Sequence, residues 1–136
     1  MPTTDLISGS LSRIRERLVA QGATEASAGE AIDLYAKFLD LAAAHPGETL
    51  CPPAAADEAW HVHLEMDTYA DDCLKVCGRI LGHDATAFGT SEFRAAWVRT
   101  RELFRQHFGT NLISSPDAKG QGPLAPASCY LAQQAA

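Results

Sequence analysis

Residues 55–73 read AADEAWHVHLEMDTYADDC, and the fold turns on whether this stretch is one helix or two. Its first half keeps helical spacing from about residue 54 to about 66. The MDT that follows interrupts it, because Asp67 or Thr68 is a good N-cap and opens a new helix over about residues 68–81, closed by Gly82. Tyr69, Cys73, Val76 and Ile80 form the apolar stripe of that second helix. A link this short folds the two helices into an antiparallel hairpin. Upstream, Pro52-Pro53 disfavours helix before it and suits the first turn of the helix after it.

The same pattern continues outward in both directions. Ile7, Leu11, Ile14 and Leu18 recur at helical spacing over about residues 5–21, and Gly22 closes the run. A second helix of about residues 25–44 carries Ala31, Leu34, Tyr35, Phe38, Leu41 and Ala42 and stops at His45-Pro46-Gly47. Beyond the hairpin, Ser91 is expected to cap a helix of about residues 92–108 with the stripe Phe93, Trp97, Thr100, Phe104 and Phe108, ended by Gly109. From Ser114 onward the chain is rich in Pro, Gly, Ser and Ala and has little to bury. The expectation is an all-α protein, an irregular four- to five-helix bundle with no strand. Residues 1–113 form a single helical domain and residues 114–136 a loosely held tail.

Composition narrows the function classes. Eleven Lys and Arg against seventeen Asp and Glu leave a net charge of −6, with the basic residues dispersed, which argues against nucleic acid and anionic membranes as partners. No apolar run approaches the ~20 residues of a membrane span. The N-terminus lacks a basic segment followed by an apolar one, so a cytoplasmic location is expected, where Cys51, Cys73, Cys77 and Cys129 are thiols.

The chemistry concentrates in the opening stretch. Neighbours two apart on a helix point nearly opposite ways, so His61 and His63 cannot both reach one ion from an unbroken helix. Asp57 lies one turn before His61 on the same face, the spacing by which helical metal sites present two ligands. His83, returning from the far end of the hairpin, would complete a three-ligand site with open positions, suited to zinc or non-haem iron first and to copper after them. His63 joins as a fourth ligand only where the helix ends or distorts, and otherwise stands behind the site. Tyr69 and Cys73 line the pocket and are the candidate catalytic groups, as proton carrier and nucleophile. Cys73 and Cys77 also read as small packing groups, His107 as a half-buried core residue, and Asp71, Asp72 and Lys75 as a solvated face.

The order FLDLAAAHP, D-x-x-W-H-x-H, D-T-x-Y-x-x-D-C and G-R-x-L-x-H resembles the glycine-rich-domain-containing protein-like family, which includes small bacterial proteins of unknown function. The likeness spans about residues 35–109, ending in the T-x-x-x-F-x-x-x-F-G of the last helix, and places the family's motif residues on Asp57, Trp60, His61, His63, Tyr69, Asp72, Cys73 and His83. Members often carry two adjacent histidines where this chain has Gly82-His83, and a Cys-rich tail where it has Cys129 alone. The resemblance implies a family site without naming a reaction. Two functions fit these residues. One is a metal-dependent enzyme, hydrolytic or oxidative, acting on a small molecule or peptide. The other is a non-catalytic helical interaction module in which the His, Trp and Asp cluster is a structural pin.

Overall fold

The computed structural model describes residues 2–84, 86, 88–127 and 130–132, the last three as backbone only. Among the described residues six helices run in chain order: α1 Thr3–Leu6, α2 Ser8–Ala20, α3 Glu25–Ala44, α4 Ala54–Leu64, α5 Tyr69–Cys77 and α6 Ser91–Phe108. The class is all-α, as the periodicity predicts. The break in the opening stretch falls at residues 65–68, between α4 and α5.

α3 carries the centre of the bundle and lies against α2, α4 and α5. Its start is fixed by Thr24, whose hydroxyl accepts from the Ser27 amide at 3.0 Å. Its apolar face buries Leu34, Tyr35, Phe38 and Leu41, which meet Trp60 of α4 and Trp97 and Phe104 of α6 in one core cluster. Both tryptophans are wholly buried. Aromatic side chains of this size remove the most apolar area from water and dominate the packing energy.

Several boundaries depart from the sequence expectation. The first helix is divided at Ile7, because the Thr3 amide and hydroxyl both donate to Asp40 Oδ1, at 2.7 and 2.6 Å, and pull α1 onto α3. Thr68 occupies the expected N-cap position of α5, whereas the cap expected at Ser91 is displaced by one residue. Thr68 makes no side-chain cap; the turn is closed by backbone bonds from Glu65 to Val62, Met66 to His63 and Tyr69 to Met66. At α6 the cap is Thr90, which accepts from the Phe93 amide at 3.1 Å.

α5 is shorter than expected. Gly78 adopts the left-handed conformation, φ 73°, and ends the helix there. Ile80, read as part of the buried stripe, is therefore 45% exposed. The chain beyond is extended rather than helical. Gly82–Asp84 forms a strand, β1, paired antiparallel with β2, Tyr130–Ala132, with His83 opposite Leu131. This three-residue ladder corrects the expectation that no strand occurs, and leaves the helical class intact.

The described part of the C-terminal segment is docked, a correction to the loose tail. The Ala54 amide donates to the Ala125 carbonyl at 2.7 Å, Ala55 to Pro123 at 3.2 Å, and Ala127 to Pro52 at 3.1 Å. Ala118, Ala125 and Ala127 are buried. Pro53 offers α4 no side-chain cap, so the returning segment satisfies two of the amides that a helix N-terminus leaves without intrahelical partners. No helix among the described residues is long and apolar enough to cross a membrane.

Candidate metal centre

The first turn of α4 places Asp57 where a carboxylate is favoured by the positive end of the helix. One turn on, His61 brings Nε2 to 3.1 Å from Asp57 Oδ2. From β1, His83 brings its own Nε2 to 3.0 Å from Asp57 Oδ1. The two imidazoles meet edge to face with centroids 4.6 Å apart, and the Trp60 ring supports His83 from beneath at 4.5 Å. One ligand atom from each of Asp57, His61 and His83 lies within 4.8 Å of the others, so the group could hold a metal ion. Ligands 2.0–2.2 Å from an ion are separated by roughly 2.9 Å at a right angle and roughly 3.4 Å at a tetrahedral angle. The two carboxylate-to-imidazole distances, each to a different Asp57 oxygen, are of this size. His83 and Asp57 are mostly shielded, whereas the His61 side chain is 54% exposed, which gives the site its open side.

His83 arrives by a route the sequence did not show. A chain of hydrogen bonds fixes it: Trp60 Nε1 donates to the Tyr69 hydroxyl at 2.9 Å, and that hydroxyl donates to the Leu81 carbonyl at 2.7 Å. Two residues later comes His83, on the strand that β2 holds from the other edge. An extended return, not a fourth turn of α5, closes the distance to Asp57.

Tyr69, expected as a catalytic group, is therefore a brace. Its single proton is committed to Leu81, and burial drives its ionisation well above the usual phenol range. Cys73 is buried too, and burial raises its thiol likewise; a thiol held neutral away from solvent is a packing group rather than a nucleophile. Burial also lifts Cys77, to about 11. Cys129 lies outside the described residues.

His63 faces away from this cluster. It is buried, with Nδ1 2.7 Å from the Tyr35 hydroxyl and Nε2 2.8 Å from Asp72 Oδ2. The ionised Asp72 carboxylate can only accept, so Nε2 carries the proton and donates to it, and the neutral imidazole accepts at Nδ1 from the Tyr35 hydroxyl. Both nitrogens are occupied, so His63 is not a ligand in this arrangement, and its ring packs edge to face on Tyr69 with centroids 4.9 Å apart. Burial lowers its basicity despite the neighbouring carboxylate. For Asp72, burial pushes the carboxyl up, but hydrogen bonds from Ser10, His63 and Thr68 outweigh it, and the group ionises below the usual range. Asp72 was read as solvated. Its i, i+4 partner on the buried stripe, Val76, and its neighbour Cys73 were the available signal that it sits at the edge of the core. His107, read as half-buried, is exposed.

His61 also borders a cavity of about 800 Å³ between α2, α3, α4 and residues 120–123, with Ala55, Val62 and Pro123 among its apolar lining and Glu30 and Glu58 among its polar lining. No family model, no curated protein and no solved structure matches this chain. The motif residues carry the family resemblance alone.

Proposed function

We propose that Asp57, His61 and His83 bind one divalent metal ion and that the protein is a metal-dependent enzyme of the glycine-rich-domain-containing protein-like family. The observation that carries this reading is the convergence of a carboxylate and two imidazole nitrogens on one point with a half-exposed histidine on the outer side. Three protein ligands leave coordination positions for water and substrate, as in catalytic rather than structural zinc sites. Zinc there would activate water for hydrolysis; iron or copper would support oxidation. The cavity beside His61 has the size for a small molecule or a peptide side chain. A cytoplasmic setting accords with the thiol content of the sequence.

The interaction-module reading also has a specific support. Each Asp57 oxygen already has an imidazole nitrogen within 3.1 Å, so the cluster can be satisfied by hydrogen bonds with no ion. Elemental analysis separates the two. Protein produced in zinc-, iron- and copper-supplemented media should retain one equivalent of metal after gentle purification, and His61→Ala should lose it while keeping its melting temperature. Metal-free wild-type protein under all three conditions would leave the hydrogen-bonded pin as the function of the cluster.

A further inference from the structure

A second pair of histidines lies elsewhere on the surface. His45 is the residue that ends α3, and His107 sits in the last turn of α6. Their side chains meet edge to face, and the two Nε2 atoms are 3.3 Å apart. That separation is close to the roughly 3.3–3.4 Å chord between two nitrogens bound 2.0–2.1 Å from one tetrahedral ion. On the far side of the His45 ring, Nδ1 lies 3.2 Å from Glu48 Oε2, and the other oxygen of that carboxylate is ion-paired with Arg99. A carboxylate at Nδ1 favours the tautomer that keeps its proton there and leaves the Nε2 lone pair free, as carboxylates behind metal-bound histidines commonly do. The pair sits at the C-terminal ends of α3 and α6, whose partial negative charge favours a cation, while Arg105 of the same last turn and Arg99 on Glu48 add positive charge nearby.

We propose that His45 and His107 form a second divalent-metal site, a two-imidazole clamp for zinc or a similar borderline ion, which ties the end of α3 to the end of α6. Neither histidine belongs to the Asp57 cluster, and the clamp stands whether or not that cluster binds metal. Two protein ligands leave two positions for water, so binding is weaker than at a closed four-ligand site and exchange with free zinc is quick. A plain hydrogen bond between the rings would need no ion; the two cases differ in what zinc does.

The test uses full-length, chelator-stripped His61→Ala protein, in which the first site is disabled, titrated with zinc by calorimetry. One equivalent should bind, and His107→Gln added to the same background should abolish it, with circular dichroism unchanged. The long-range proton–nitrogen spectrum of the wild-type protein gives an independent readout: the Nε2 resonances of His45 and His107 should shift together at saturation. Zinc binding that survives His107→Gln, no binding in His61→Ala, or imidazole signals that stay put while zinc binds would each overturn the clamp. A wild-type stoichiometry that His61→Ala leaves unchanged would instead count against the Asp57 site alone.

Discussion

Replacing Tyr69 with Phe removes one oxygen and nothing else, and the structure assigns that oxygen two bonds: from Trp60 Nε1 at 2.9 Å and to the Leu81 carbonyl at 2.7 Å. All three residues are buried, so water does not replace the lost partner. A buried polar group left unsatisfied costs about 1–3 kcal/mol. Two such groups, partly relieved by relaxation of the chain around Leu81, place the loss at about 2–4 kcal/mol. An unfolding entropy of about 2.1 cal/mol/K per residue converts this to a melting temperature lower by roughly 7–14 °C for a chain of this length. Urea titration of metal-free protein at 25 °C measures the free energy directly. Metal affinity should weaken in parallel, because the Leu81 anchor sets where His83 sits. A loss below about 1 kcal/mol, joined to abolished activity, would refute the bracing role and return Tyr69 to the chemistry.

Acidification should destabilise the protein in two stages. His63 has a folded value below the ordinary one, so the unfolded chain takes up the proton first and stability declines as pH falls below about 6.5. Asp72 is likewise depressed, and its contribution, complete above about pH 4, is lost as pH falls through its folded value. Urea midpoints between pH 7 and 3 should therefore drop throughout, and His63→Gln should flatten the upper stage. Gly78→Ala forces a left-handed φ of 73° on a residue with a Cβ that meets nothing within 4 Å, so only the conformational cost of roughly 1–2 kcal/mol is expected by denaturant titration. Truncation after Ser115 should lower the melting temperature by several degrees, because it exposes the Ala54 and Ala55 amides; an unchanged melting curve would mean that these bonds contribute nothing.

Periodicity placed α3 and the turn at residues 65–68 well, because both rest on long apolar stripes bounded by strong punctuation. The Asp57–His61 pair was equally legible, since i, i+4 geometry is a local property of any helix. His83 was anticipated as a ligand for a partly wrong reason: Gly78, not Gly82, ends the helix, and both glycines carry the same local signal. Helical spacing put His63 on the face of Trp60, and that face proved to be core, where Tyr35 from 28 positions upstream takes one nitrogen. Such a partner leaves no trace in a local pattern. Nor could composition reveal the docking of residues 123–127, which hold α4 through main-chain atoms that every sequence possesses.

That docking has a consequence for how the protein is made. The helix bearing Asp57 and His61 is completed at its first turn by carbonyls some 70 positions later in the chain, those of Pro123 and Ala125, and the strand bearing His83 is paired with residues 130–132. Chains emerge from the ribosome N-terminus first, so α1 to α3 can collapse while Asp57, His61 and His83 still lack the later segments that hold their elements. The settled placement of these three side chains therefore depends on residues made after them. A nascent chain arrested before residue 123 would carry Asp57, His61 and His83 without the carbonyls and the strand partner that hold their elements.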